Sequence, residues 1–378
     1  VATLTQWTLP LNPPNPNPFY LQFLTEPRKG RLYYTKYIVD VIGELTVSKN
    51  VGNVREWVIP PALFGKASSG NACGITYGPA NSVWFALQNG HRLVELDPKA
   101  GLFTAFGGLQ YPIRYPRHLM FDGADNLWYT GAGTNGALIG RLDRTRTKAT
   151  YWDLPAELIT PEGLWVDGNG EAIWFTPINP NLWLTGAFLA RLIPGNNELT
   201  YWTYPRAGRR PVNAGVVGDA RTNPENIWFT YAEWGPQSRV FRLHLQSNTF
   251  FEYAPTFSAP RRVVVDAGRN AWISDWSGKV SRVARDADCG TIRLTPDTLL
   301  VERVERSVKS QQATARAAVH SVRPTVQPVT PVKDNCYAHF PLPSPLTSQG
   351  IQIDAAKPGK PNVYFTEGSG IVIGRLTP

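Results

Sequence analysis

IWFT stands at Ile173 to Thr176 and again, unchanged, at Ile227 to Thr230. Five variants complete the series: LYYT at Leu32 to Thr35, VWFA at Val83 to Ala86, LWYT at Leu127 to Thr130, AWIS at Ala271 to Ser274 and VYFT at Val363 to Thr366. Most neighbours in the series lie roughly 44 to 54 residues apart, the interval of a propeller blade of four short strands.

Working outward from the phrase, an apolar strand precedes it, as in GLWVD at Gly163 to Asp167 and RVVVD at Arg262 to Asp266, and an Asp/Gly/Asn turn joins the two. A third strand follows with a recurring arginine: IGRL at Ile139 to Leu142, LARL at Leu189 to Leu192, VFRL at Val240 to Leu243, VSRV at Val280 to Val283 and IGRL at Ile373 to Leu376. The fourth closes on proline, as in TYWDLP at Thr150 to Pro155. Residue character alternates within each strand, the period-2 signal of a sheet. The last repeat stops after its third strand, and LTQWTLP at Leu4 to Pro10 reads as the missing fourth. The expectation is an all-β fold, a seven-bladed β-propeller spanning residues 1–378 as one domain. Its N-terminal strand completes the last blade and removes an open edge.

The repeat breaks once, between VSRV and a fourth strand CYAHFP at Cys336 to Pro341, where an arm of residues 290–335 interrupts the sixth blade. Cys289 and Cys336 bracket it, and adjacent strands in one sheet would bring their sulfurs together as a disulfide. Cys73, in the innermost strand of the second blade, reads as a small buried hydrophobe. From Pro296 to about Ala318 the residues Leu300, Val301, Val304 and Val308 follow helical spacing. Glu302 with Arg306 and Glu305 with Lys309 add i,i+4 pairs, so a short amphipathic helix is predicted there. Pro324, Pro328 and Pro331 then impose an extended, polyproline-like path. Two destinations stay open: docking on a neighbouring copy, which can build an open filament, or folding back on the parent ring.

GITYGPANSVWFA at Gly74 to Ala86 and VYFTEGSGIVIGRL at Val363 to Leu376 resemble the repeats of the streptogramin B lyase family, over nearly the whole chain outside the arm. That resemblance implies the seven-bladed fold. It also implies, for members with the activity, opening of a cyclic depsipeptide by elimination, with a catalytic histidine and Mg2+ held by an acidic residue near one mouth of the channel. Elimination needs a base at the proton removed and a cation for the developing oxyanion. Only Glu367 keeps the family's glutamate in its phrase, and of the five histidines only His118 begins an innermost strand, so these two are the catalytic candidates. Asp122, Asp167, Asp219, Asp266 and Asp354 recur at the ends of innermost strands, where a turn-forming role outweighs a calcium site.

The chain carries a net charge of +9 with 42% hydrophobic residues, and no apolar run is long enough to span a bilayer. Arginines gather in the loops entering innermost strands: Arg114 and Arg117, then Arg206, Arg209 and Arg210, then Arg261 and Arg262. Trp234 and Trp276 lie in loops on the same face, beside Glu233 and Asp275. The ligand-site candidates are therefore Arg117, Arg209, Arg210, Glu233, Trp234, Arg261, Arg262, Asp275 and Trp276, suited to an acidic glycan. No basic run interleaved with aromatics marks a nucleic-acid groove. A start at Val1 without a signal peptide and a cysteine pair fit a processed, secreted protein. The expectation is an extracellular, non-catalytic propeller that self-assembles through its arm and needs no cofactor. The alternatives are a Mg2+-dependent lyase-like enzyme acting on a cyclic or lactone-containing molecule and a glycan-binding propeller.

Overall fold

The computed structural model describes residues 2–10, 21–25, 28, 30–48, 51–107, 113–133, 136–156, 158, 160–177, 186–204, 215–232, 238–253, 257, 259–287, 289–333, 336–342, 351–354, 361–367 and 372–378. The seven phrases form the second strands of seven antiparallel sheets, the blades of a propeller. Blade two shows the plan in Ala72–Tyr77, Val83–Leu87, Arg92–Asp97 and Leu102–Gly107, running from the channel outward. Blade seven is closed as expected, with Ala2–Thr8 paired to Val372–Thr377 so that Leu4 faces Leu376 and Trp7 faces Ile373. No helix among the described residues is long and apolar enough to cross a membrane.

The repeated letters have repeated contacts. Trp128, Trp174, Trp228 and Trp272 are at most 2% exposed, and each lies directly across from a third-strand arginine: Arg141, Arg191, Arg242 and Arg282. Those guanidinium carbons sit 5.4 to 5.9 Å from the indole centroids, within cation–π range. The fourth strand adds a stacked ring to each indole: Trp152, Trp202, Tyr253 and Phe340, at centroid separations of 5.4 to 5.8 Å. Asp122, Asp167, Asp219 and Asp266 form turns. Asp122 accepts from the Asn126 backbone N–H at 2.9 Å and from Trp128 Nε1 at 2.8 Å, and Asp266 accepts equivalently from Asn270 and Trp272, both at 2.9 Å.

The arm departs from the helical expectation. It is extended throughout and adds a fifth, antiparallel strand to the outer edge of every blade. Leaving blade six, it contributes Thr291–Ile292 to blade five and Asp297–Leu300 to blade four. It continues with Arg303–Ser307 on blade three, Ser310–Thr314 on blade two and Ala318–Val322 on blade one. Pro324–Val329 pairs with blade seven, and Val332–Lys333 returns to blade six.

The register repeats every seven residues. Ile292, Leu299, Arg306, Ala313, His320 and Gln327 stand opposite Phe250, Leu199, Ala149, Phe103, Val54 and Leu4. Ala287, Leu294, Val301, Val308, Ala315, Val322, Val329 and Cys336, also seven apart, pack against the core. Neighbouring strands rotate by about 20–25°, so four steps turn the fifth strand about 80–100° from the innermost one and lay it along the rim. Seven extended residues span about 23 Å and seven such steps about 160 Å, the circumference of a disc about 50 Å across. A disulfide between Cys289 and Cys336, with Cα atoms 6.5 Å apart, buckles this belt where it began.

A seven-residue apolar period fits two helical turns as well as one strand and connector, which explains the misleading pattern. Seven open sheet edges outweigh the local helical preference. The predicted Glu302–Arg306 and Glu305–Lys309 pairs do not form; Glu305 is ion-paired with Arg303 on the same strand.

Candidate functional site

The innermost strands start at one mouth of the channel, and the last letter of the aromatic phrase sets their entry. The Thr130 hydroxyl accepts the His118 backbone N–H at 3.1 Å, Thr176 that of Gly163 at 2.9 Å, Thr230 that of Gly215 at 3.0 Å and Ser274 that of Arg262 at 3.2 Å. In blades four and six the register shifts at this point, between Pro161 and Gly163 and between Pro260 and Arg262. Glu162 and Arg261 are the bulged residues, and a bulge re-aims its side chain.

From these entries Arg117 and His118 of blade three, Glu162 of blade four and Arg262 of blade six converge. Blades three and six are as far apart as a seven-blade ring allows, so Arg262 reaches across the channel. Its Nη2 donates to His118 Nε2 at 2.9 Å, and its Nη1 reaches the Glu162 carbonyl at 3.5 Å. Arg117 is ion-paired with the Glu162 carboxylate, which also stands 3.9 Å from His118 Nε2. Arg261 lays its guanidinium over the Trp276 ring at 3.6 Å.

Burial, reinforced by the charges of Arg262 and Arg117, pushes the His118 imidazole well below its usual pKa, so it is neutral at pH 7. Arg262 stands against both ring nitrogens, with Nη2 2.9 Å from Nε2 and Nη1 3.4 Å from Nδ1, and so covers the atoms a base would use. Burial, with Arg117 nearby, lowers Arg261 to about 10, and burial, with Arg261 and Arg117 nearby, lowers Arg262 well below its ordinary value. The buried Cys73 thiol is pushed up to about 12 by desolvation and is inert as a nucleophile at neutral pH.

Of the residues expected from sequence, Arg117, His118, Arg261, Arg262 and Trp276 thus gather at one mouth. Asp275 serves its turn instead, accepting from the backbone N–H groups of Ser277 at 2.7 Å and Ala259 at 3.3 Å. Arg209, Arg210, Glu233 and Trp234 lie outside the described residues, as does the Glu367 side chain. Glu162 was missed by sequence reasoning; the available signal was its place in PEGLWV, one residue into an innermost strand, as Arg261 is in PRRVVV. Among the described residues no three His, Cys, Asp or Glu side chains gather as a metal site. Glu162, the acidic side chain described at this mouth, is ion-paired with Arg117.

No known family profile matches the chain, and no curated protein matches it in sequence. Solved structures do match. Virginiamycin B lyase from Staphylococcus aureus superposes with a TM-score of 0.68 at 17% identity, covering 99% of each chain. A streptogramin B lyase superposes with a TM-score of 0.67 at 17% identity, over 100% of this chain and 98% of that one. The chain shares its seven-bladed fold with the streptogramin B lyases.

Proposed function

We propose that this chain is a secreted, non-catalytic propeller that assembles with copies of itself through the rim formed by its arm. The placement of exposed apolar side chains carries this reading. Val319 and Val326 on the belt are 68% and 55% exposed, and Val51 and Val58 on the adjoining outer strand are 41% and 53% exposed. All four lie on blades one and seven. Leu300, 76% exposed, lies on the belt strand of blade four. In a seven-blade ring, blade four stands diametrically opposite the boundary between blades seven and one. Two different patches at opposite ends of a rigid body favour a heterologous, head-to-tail contact, which grows rather than closing on itself. The buckling disulfide is compatible with an oxidising compartment.

Light scattering and electron microscopy of wild type, Leu300→Lys and Val319→Lys/Val326→Lys test it. Wild type is expected to form chains, and each variant alone to remain monomeric. Mixing the variants joins one intact patch of each and should give dimers that grow no further. A wild type that stays monomeric over a thousandfold range of concentration overturns the proposal.

A further inference from the structure

We propose that Lys36 and Glu56 join in an intramolecular isopeptide bond, a cross-link that blade one makes by itself. Lys36 ends the second strand of that blade, Arg31–Lys36, and Glu56 lies in the fourth, Val51–Val58. The Lys36 Nζ stands 2.7 Å from Glu56 Oε1, and both side chains are 2% exposed. The Tyr34 hydroxyl donates to the same oxygen at 2.6 Å, and Lys36 Nζ donates to the Pro10 carbonyl at 2.7 Å. Glu56 Oε2, buried in the same place, has no hydrogen-bond partner.

An ion pair accounts for one oxygen of this carboxylate and leaves the other unsatisfied. Holding two charges and an unpaired oxygen away from water is costly, and a neutral amide removes all three. Its carbonyl oxygen keeps the Tyr34 hydroxyl, its N–H keeps the Pro10 carbonyl, and the oxygen that departs is the one without a partner. In the step, the Lys36 ammonium gives a proton to the Glu56 carboxylate, and the nitrogen lone pair attacks Cδ. The C–N bond forms, the C–Oε2 bond breaks, and Oε2 leaves with a second nitrogen proton as water. Nothing is oxidised or reduced. Tyr34 stabilises the charge that develops on Oε1, and desolvation, which lowers the pKa of Lys36, favours the first proton transfer. Fixed contact between the two groups replaces a bimolecular encounter.

The backbone makes room for this arrangement. Gly43, on the third strand, faces Tyr34 on one side and Glu56 on the other, and a Cβ there would overlap the Tyr34 ring. Blade three has the same glycine, Gly140, between Tyr129 and Tyr151, and there the Tyr129 hydroxyl has no hydrogen-bond partner. None of the other six phrases is followed by lysine. Pro10 lies just beyond the N-terminal strand of blade seven, so the cross-link sits beside the seam at which the ring closes.

Mass spectrometry of the purified full chain, denatured and with its disulfide reduced, tests the bond. Wild type is expected to be lighter than its sequence by one water. A tryptic digest should then leave Lys36 uncleaved, with residues 32–49 joined to residues 56–66. Lys36→Arg should have its full sequence mass. Glu56→Gln, if it reacts, should lose ammonia in place of water, which would identify the acyl partner. Wild type at its full mass overturns the proposal, as does a missing water that persists in Lys36→Arg or maps to other peptides. The masses are read on denatured chains and do not depend on whether the protein assembles.

Discussion

Opening the buckle should weaken the whole ring. Cys289 and Cys336 are separated by 47 residues. Closing a loop of that length removes about 14 cal/mol/K of chain entropy from the unfolded state, or about 4 kcal/mol at 25 °C. The belt's native contacts do not depend on the bond, because its backbone pairs with all seven blades. The Cys289→Ser/Cys336→Ser variant should therefore fold to the same structure and lose about 4 kcal/mol in guanidinium unfolding. At about 2.1 cal/mol/K per residue of unfolding entropy, the midpoint of thermal unfolding falls by about 5 °C. Hydrogen exchange locates the change. The two-residue strands Thr291–Ile292 and Val332–Lys333 end the belt and hold the least, so protection should be lost there first and then along the arm. The aromatic second strands should keep theirs. An unchanged unfolding midpoint with unchanged belt protection would refute the reasoning, as would loss of protection in the inner strands together with the belt.

Acid should act through His118. Its folded pKa lies below the unfolded value, so as pH falls through about 6.5 the unfolded chain takes up a proton that the native state refuses, and stability declines by up to about 1.4 kcal/mol per pH unit. His118→Gln should lose less stability than wild type between pH 7 and pH 5 in urea titrations; equal losses would assign the acid sensitivity elsewhere. In the third strands, Gly140 lies directly across from Tyr129, whose ring occupies the space a Cβ would need. Gly140→Ala should cost about 1–3 kcal/mol by overpacking. At Gly195 a Cβ meets nothing within 4 Å, so Gly195→Ala is the control and should leave the unfolding midpoint nearly unchanged.

The blades were legible because their pattern is redundant. Trp128, Trp174, Trp228 and Trp272 each meet an arginine on the third strand and an aromatic ring on the fourth, so three positions repeat together and confirm one another. The closure of blade seven was legible for the same reason: Leu4 to Pro10 lacked a blade and the last blade lacked a strand. The arm was not legible as a belt because its strands are specified by the edges they meet. Arg306, Ala313, His320 and Gln327 share one register position and no common character. What does repeat is the small apolar residue every seventh place, and that spacing alone cannot distinguish helix from belt. At the mouth, charge clustering exposed Arg117, Arg261 and Arg262, whereas Glu162 reads in sequence as a solvated strand residue. The bulge and the meeting of blades show what its place in PEGLWV means.

The belt also bears on how copies of this protein can meet. Without it, seven outer strands of five to eight residues would present unpaired backbone around the rim, an invitation to indiscriminate pairing. The belt satisfies those edges and substitutes strands of two to six residues. On blade seven Pro324 and Pro328 remove donors from the new edge, and charged residues such as Arg303 and Glu305 line it on blade three. Backbone pairing between rings is thereby discouraged along the rim, leaving side chains to direct any contact. Among the described residues, Leu300 on one side, with Val319 and Val326 on the other, are the large apolar side chains that the belt leaves exposed. Substituting them therefore separates the two modes: assembly by edge pairing would survive Leu300→Lys, whereas assembly through the patches would not.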